Sequence, residues 1–527
     1  MAEERTGRAA FLVGAGIFGS RLAGLARQSV FAHFFGASPA GDAFLAAFRI
    51  PNMLQNLFGE GVLSASFIPE YAGLLARGDT EMAEQVAGAV LGALALIASM
   101  VVLLGVLAAP YLVDILAGGF SGATRALTIT LVRILFPGAA LLVFSAWCLG
   151  LLNSHRKFLV SYLAPVAWNV VMIGALLLFG FHTDINRLAI FIAWASVIGS
   201  AAQFAVQLPV VIRVAGRILP NFNFRLVAAQ RVFTTFTSAF LSRGVVQISA
   251  FVDLVLASNL PSGTVSSLAY AQTLYLLPGS LFGMSVTAAE LPAMSSALGT
   301  PEEIAAYLRK RLNAAMQRIA YYIVPCIAAF LALGDVIIAA LLQTGHFKHS
   351  NTIWVWEILA GSTVGLLAST LGRLDSSTYY ALRDTRTPLN FAVIRIILTT
   401  ALGLLFAFVI PRWFGLDPKI GAAGLTASAG LAGWVEFALL RRSLTRRIGR
   451  TGLTVKYIGT LWLAALAAAA LGSACRPLAT HLPPLVFAVL ALGLFGVTYL
   501  LLTVRFQVPE ALLLTAKLRK RSRVQSG

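Results

Sequence analysis

Four polar residues mark one stripe of an otherwise apolar segment: Arg49, Asn52, Asn56 and Glu60, at i, i+3, i+7 and i+11. At about 100° per residue they fall within roughly 80° of one another on a helix. Two more arginines, Arg21 and Arg27, sit inside the apolar run 9–36. A charged side chain at bilayer depth costs about 2.5–3.5 kcal/mol on insertion scales, so it faces a cavity or a partner rather than lipid. The planar fork of arginine gives bidentate, charge-assisted hydrogen bonds to phosphate. Cations lining a cavity in a membrane therefore point to an anionic, phosphate-bearing molecule that must enter it. The alternative for the stripe is a polar seam between helices, since Asn and Gln join helices in lipid. The alternative for the two arginines is structural pairing with an acid such as Asp42 or Glu60.

Arg21 and Arg27 are separated by about 120° around an ideal helix, so they flank a wide cavity rather than share a stripe. Gly19 or Gly24 would allow bending there. Gln28 shares the face of Arg21, and Ser20 precedes it. Arg243 and Asp253 lie deep in a later run, 232–258. They are about 15 Å apart along the axis and do not pair directly. Arg243 extends the cationic set. Asp253 is a candidate proton or cation site, because intramembrane carboxylates mark ion paths, or simply a paired acid. Arg133, Arg318 and Arg395 stand near the ends of runs, where long side chains snorkel to the interface.

Enzyme chemistry has no footing here. There is no Walker A sequence, so no built-in ATPase. The histidines, His33, His155, His182, His346, His349 and His481, are scattered, and no Cys/His cluster has zinc spacing. The expectation is no metal and no cofactor, with drive from a Na+ or H+ gradient or the membrane potential.

The elements that must position these residues are membrane helices. Of 527 residues, 58% are hydrophobic and 12% charged, against about 25% charged in soluble domains. The mean hydropathy is +0.83. Fourteen apolar runs, from about 9–36 to about 483–504, are each long enough to cross a hydrocarbon core about 30 Å thick. The fold class is all-α and polytopic. The first run is too long for a signal peptide and reads as the first span. The cysteines, Cys148, Cys326 and Cys475, lie in or beside spans and read as small buried hydrophobes rather than a disulfide framework.

A net charge of +19 could suggest nucleic acid, but its distribution argues for a membrane. With the N-terminus inside, the cations on the outer side are Arg125, Arg187, Lys348, Arg412, Lys419 and Arg476; most others fall in cytoplasmic loops and tails, as the positive-inside rule requires. The run 517–521 reads as a cytoplasmic tail held near anionic lipid. The protein is read as a multi-pass monomer with both termini in the cytoplasm and no nucleic-acid partner.

A weak duplication divides the chain. Leu57-Phe58-Gly59 and a following Pro69 are echoed about 224 residues later by Leu281-Phe282-Gly283 and Pro292. The basic turn Ser154-His155-Arg156-Lys157 is echoed by Arg383-Asp384-Thr385-Arg386. The offset covers an even number of spans, so both halves insert alike, which predicts two lobes with a site between them. The divisions read as 1–214 for the first lobe, 215–231 for a basic linker, 232–445 for the second lobe, 446–506 for two appended helices and 507–527 for a basic tail.

Ser20-Arg21-Leu22-Ala23-Gly24-Leu25-Ala26-Arg27 resembles the first-helix motif of the bacterial lipid II flippase family MurJ, also called MviN. So do Asp42-Ala43-Phe44, Phe48-Arg49-Ile50-Pro51-Asn52 and Phe58-Gly59-Glu60-Gly61, and in the second half Tyr379 to Pro388. The resemblance runs over essentially the whole chain. It implies the fold of the multidrug/oligosaccharidyl-lipid/polysaccharide exporter superfamily: two six-helix lobes in a V, plus two helices forming a groove for a polyprenyl tail. It implies a bacterial inner-membrane protein that carries lipid II, the undecaprenyl-pyrophosphate-linked peptidoglycan precursor, to the outer leaflet, with membrane lipids and cell-wall synthesis enzymes as partners. Arg21 and Arg27 match family cavity arginines, and Asp42 and Glu60 match family acidic positions, Asp42 being read as a gating residue with Ser20 and Gln28. Two positions depart from the family: arginines of well-known members are here Gln55 and Thr273, and Arg49 and Arg243 are expected to compensate. The rival readings are a flippase for another polyprenyl-linked saccharide, a drug exporter, a membrane glycosyltransferase, or a non-transporting scaffold of envelope assembly. A drug exporter for cations would favour an acidic cavity, and a glycosyltransferase would need catalytic carboxylates on a larger extramembrane region.

Overall fold

The computed structural model describes residues 2–516 apart from Gly59, Arg217, Ala297 and His481. At residues 2–15, 17, 54–58, 60, 61, 64, 65, 238–250, 292, 479 and 480 it describes the helical backbone only. Gln55, Asn56, Glu60 and Arg243 therefore have described helix positions but lie outside the described side chains.

Among the described residues every regular element is a helix. Two compact units emerge, residues 1–266 with 344–347, and residues 267–343 with 348–527. The first contains α1 (Ala2–Phe35), α2 (Pro39–Phe58), α3 (Glu60–Ala76), α4 (Thr80–Leu107), α5 (Ala109–Leu116), α6 (Gly122–Ser154), α7 (Phe158–Phe179), α8 (Ile185–Ala215) and α9 (Val227–Ser258). It also takes the first turn of α10 (Thr264–Pro278). The second continues with a π-helical stretch, Gly279–Met284, then α11 (Ser285–Ser295), α12 (Pro301–Leu342), α13 (His349–Thr363), α14 (Leu366–Ala381) and α15 (Arg386–Leu404). After a second π-helical turn, Leu405–Val409, come α16 (Ile410–Trp413), α17 (Ile420–Ile448), α18 (Val455–Ala474) and α19 (Pro484–Arg505).

Among the described residues ten helices are long and apolar enough to cross a membrane, or eleven if the pair α13 and α14, bent by 41°, makes one span. The fourteen read from sequence include stretches outside that search. The protein is an all-α, multi-pass membrane protein. Leu96, Leu103, Leu107, Leu178, Leu463 and Leu501 stand exposed on the helices, as lipid-facing residues must.

Helix starts follow local chemistry. The Asp79 side chain accepts from Met82 N at the head of α4, and the Asp184 side chain accepts from Asn186 N at the head of α8. Thr300 and Glu303 form a capping box before α12, with Pro301 in its first turn. Inside the first unit, α6 and α8 are joined by Gln203 Nε2 and Gln207 Nε2, which both donate to Ser145 Oγ at 3.0 and 2.8 Å. This is the polar seam that lipid-embedded helices use. The basic linker is not a loose tether. The Asn221 backbone N–H donates to the Gly88 carbonyl at 3.1 Å and its Nδ2 to the Gln85 carbonyl at 2.9 Å, pinning it to α4. The compact units also divide at Ser266 rather than at this linker, so α9 packs with the first unit.

The two echoed basic turns share one backbone shape. Arg156 and Arg383 both adopt left-handed φ, 59° and 61°. In the first, Lys157 N donates to Leu152 O and Arg156 N to Asn153 O; in the second, Asp384 N donates to Tyr379 O and Arg383 N to Tyr380 O. The repeated hydrogen bonds give the sequence echo a structural counterpart.

The cysteines are free: Cys148 is buried, and Cys326 and Cys475 are half-buried.

Candidate functional site

Arg27 is seated by aromatic packing. Its guanidinium carbon lies 4.8 Å from the centroid of the Trp168 ring, over the indole of α7. Trp168 is 8% exposed. Its Nε1–H donates to the Ser196 carbonyl of α8 at 3.1 Å, and the Phe48 ring of α2 lies 5.6 Å from it. Gly199 of α8 makes room for the indole: a Cβ there would meet Trp168 Cδ1 at 2.8 Å. Arg27 Nε is buried and has no hydrogen-bond partner. Among the described residues, four helices, α1, α2, α7 and α8, thus surround this guanidinium without a carboxylate partner.

Asp42 does not serve as its partner. The Asp42 carboxylate, 2% exposed, accepts from Gly263 N at 2.6 Å, Ser266 N at 2.7 Å and Ser266 Oγ at 2.7 Å. It caps the first turn of α10 from α2, a distance of more than two hundred residues in sequence. Arg49, the first residue of the polar stripe, lies close enough to Asp253 of α9 for the two charges to attract. Asp253 is therefore not a lone acid. Its opposite charge comes from α2, which helix spacing along α9 alone does not reveal.

The other expected site residues are placed as follows. Arg21 is exposed, and Ser20 and Asn52 are half-buried. Gln28 is 5% exposed, so it and Arg21 differ in environment although they share a face. Gln55 and Asn56 lie on α2, Glu60 opens α3 and Arg243 lies on α9. Thr273 belongs to α10 in the second unit, where its Oγ1 donates to the Ala269 carbonyl at 2.9 Å.

The second unit treats arginine differently. Arg318 pairs with Glu290 at 3.5 Å and Arg395 with Glu436 at 3.3 Å. Both were read from sequence as snorkelling cations; each also meets a carboxylate on a neighbouring helix. Arg441 pairs with Asp375, a fully buried carboxylate, at 3.4 Å. Sequence reasoning did not single out this pair, although an acid near the inner end of a span was the available signal. Among the described residues no group of three or more His, Cys, Asp or Glu is placed to hold a metal ion.

The model of the family described as "Lipid II flippase MurJ" matches residues 31–497. The chain belongs to the MurJ family. A probable lipid II flippase MurJ of Rhizobium meliloti (strain 1021) is 30% identical over 476 residues, covering 88% of this chain and 84% of that protein. The lipid II flippase MurJ of Burkholderia cenocepacia is 30% identical over 436 residues, covering 81% of each. Among solved structures, a lipid II flippase MurJ in an inward closed conformation superposes with a TM-score of 0.78 at 23% identity, covering 94% of this chain and 98% of that one. An inward-facing multidrug resistance MATE family transporter of the MOP superfamily superposes with a TM-score of 0.67 at 17% identity, over 82% and 96% of the two chains. The all-α, multi-pass class expected from the MurJ resemblance is the class observed.

Proposed function

We propose that this MurJ-family chain is a flippase for lipid II, moving the polyprenyl-pyrophosphate-linked precursor from the inner to the outer leaflet of the bacterial inner membrane. The observation that carries the reading is Arg27, a guanidinium held among membrane helices by Trp168 with no carboxylate partner among the described residues. Pyrophosphate supplies the missing negative charge and matches the guanidinium fork. The lipid tail stays in the bilayer while the headgroup takes a shielded path. Arg21, Arg49, Asn52, Gln55, Asn56, Glu60, Arg243 and Thr273 are assigned to the same headgroup path. Ser20, Gln28 and Asp42 are assigned to gating. Alternating access by two lobes needs an external drive, which we assign to an ion gradient or the membrane potential. Asp253, beside Arg49, is the carboxylate we assign to coupling. Both termini are assigned to the cytoplasm from the positive-inside bias.

The test is rescue of a bacterium depleted of its own lipid II flippase, with lipid II exposure at the outer leaflet as the readout. The parent chain is expected to rescue and an equally expressed Arg27→Ala variant to fail. No rescue by a correctly inserted parent chain would overturn the cargo assignment and favour another polyprenyl-linked saccharide or a non-transporting role. Full rescue by Arg27→Ala would overturn the role of the cationic site.

A further inference from the structure

We infer that Trp168 is the positioning residue of the anion site: it acts through Arg27, holding the guanidinium by its π face so that the cation stays charged and uncompensated for an incoming pyrophosphate. The inference rests on the reading of Arg27 as a headgroup ligand.

An arginine among membrane helices needs an attractive partner. A carboxylate supplies attraction but cancels the charge, as Glu290, Glu436 and Asp375 do for Arg318, Arg395 and Arg441. An indole supplies attraction through its quadrupole and leaves the net charge intact, and Trp is the strongest such ring. The geometry of Arg27 over Trp168, 4.8 Å to the centroid, belongs to the second kind. The nearest acid on α2, Asp42, is committed elsewhere by three hydrogen bonds. The unpartnered, buried Nε of Arg27 shows that hydrogen-bonding capacity is also left over.

The platform itself is built for rigidity. Trp168 sits mid-way along α7, whereas tryptophans of membrane proteins concentrate at the two interfaces, where the indole N–H meets water. At depth that N–H must find a protein acceptor, and the Ser196 carbonyl provides it at 3.1 Å. Phe48 packs beside the indole, and Gly199 leaves the space it occupies. The Ser196 bond and the close fit against Gly199 hold the ring in place. The guanidinium therefore rests on a platform set before the ligand arrives, which lowers the ordering cost of binding. Specificity follows: the site favours a multivalent anion such as pyrophosphate over neutral or zwitterionic headgroups, because no carboxylate among the described residues pairs with Arg27.

The experiment is a double-mutant cycle on the purified full chain in detergent, with undecaprenyl pyrophosphate as the probe and its dissociation constant as the readout. Arg27→Ala and Trp168→Leu are each expected to weaken binding about tenfold, the range that a desolvated cation–π contact spans. Trp168→Phe, which keeps a weaker π face, is expected to fall between parent and Trp168→Leu. The double variant is expected to bind no worse than Arg27→Ala alone, because Trp168 then has nothing to position. Additive losses, or a Trp168→Leu variant that binds like the parent while Arg27→Ala does not, would overturn the inference and leave the Arg27 assignment standing. Parent-like binding by Arg27→Ala would overturn that assignment and the inference with it. If Trp168→Leu does not fold, the same cycle with Trp168→Phe decides: its loss must vanish in the Arg27→Ala background.

Discussion

At the scale of single residues, what distinguishes the charged groups is the partner each one finds. Arg27 meets an indole, Arg49 an acid from α9, and Asp42 three donors around Gly263 and Ser266. A buried carboxylate that accepts three hydrogen bonds cannot be removed cheaply, because the orphaned donors pay their desolvation without return. Hydrogen bonds to charged groups contribute about 1.5–3 kcal/mol each, and losses in one cluster are less than additive. Asp42→Ala is expected to destabilise the protein by about 2–3 kcal/mol, and Asp42→Asn by less, since its carbonyl can still accept. Thermal unfolding in detergent checks this; an unchanged midpoint for Asp42→Ala would show that the clamp does not support the fold. Of these groups, sequence reasoning had flagged Arg27, Arg49, Asp42 and Asp253. Trp168 went unnoticed, although a tryptophan in the middle of an apolar run, away from both interfaces, was a readable signal.

At the scale of elements, the helices were legible because hydropathy is a sum over neighbours in sequence. The run 389–410 appears in the structure as α15 continuing through its π turn to α16, at a hydropathy of 2.5, whereas the run 85–114 is broken at Ala108 into α4, at a hydropathy of 2.8, and α5. The echo of the two basic turns was also legible, and the shared left-handed arginines show why it persists: the turn needs one residue at positive φ in each copy. The copies then diverge. In the second, the Asp384 carboxylate accepts from Thr387 N at 3.0 Å, Thr387 Oγ1 at 2.7 Å and Arg447 Nη2 at 2.7 Å, tying the turn to α15 and α17. The Thr387 backbone N–H, followed by its hydroxyl and then the Arg447 guanidinium, holds the carboxyl at about 2, below the ordinary carboxylate value. A depressed folded value contributes stability above the unfolded value of about 3.9, and that stability is lost as pH falls through about 2. The unfolding midpoints of the parent and Asp384→Asn are therefore expected to differ by a constant amount from about pH 5 to pH 7, and the gap is expected to shrink as pH falls from about 4 towards about 2. An undiminished gap at pH 2.5 would sink this account.

At the scale of the whole molecule, family membership and fold make this chain a transporter in the MurJ line, and the absence of a Walker A sequence bears on its energy source. Moving one elementary charge through 100 mV is worth about 2.3 kcal/mol, enough to bias a cycle about fiftyfold. Lipid II exposure driven by this chain is expected to stop when an ionophore collapses the membrane potential and ion gradients, and to survive a fall in ATP that leaves them intact. The opposite pattern would remove the gradient-driven mechanism.

The sequence by itself determined the membrane class, the echo of the two basic turns and the presence of arginines within apolar runs. Each of these is a local sum or a spacing, computed from residues that stay neighbours whatever the chain does next. Only the tertiary structure decided that Arg27 of α1 lies over Trp168 of α7, that Arg49 of α2 comes within electrostatic reach of Asp253 of α9, and that Arg318 and Arg395 meet carboxylates. Those pairings depend on how far each helix is rotated about its own axis and where it is cut off along it. Both are set by side-chain packing between separate helices, such as the indole of Trp168 on α7 against the bare backbone of Gly199 on α8, and no periodicity within one helix carries that information.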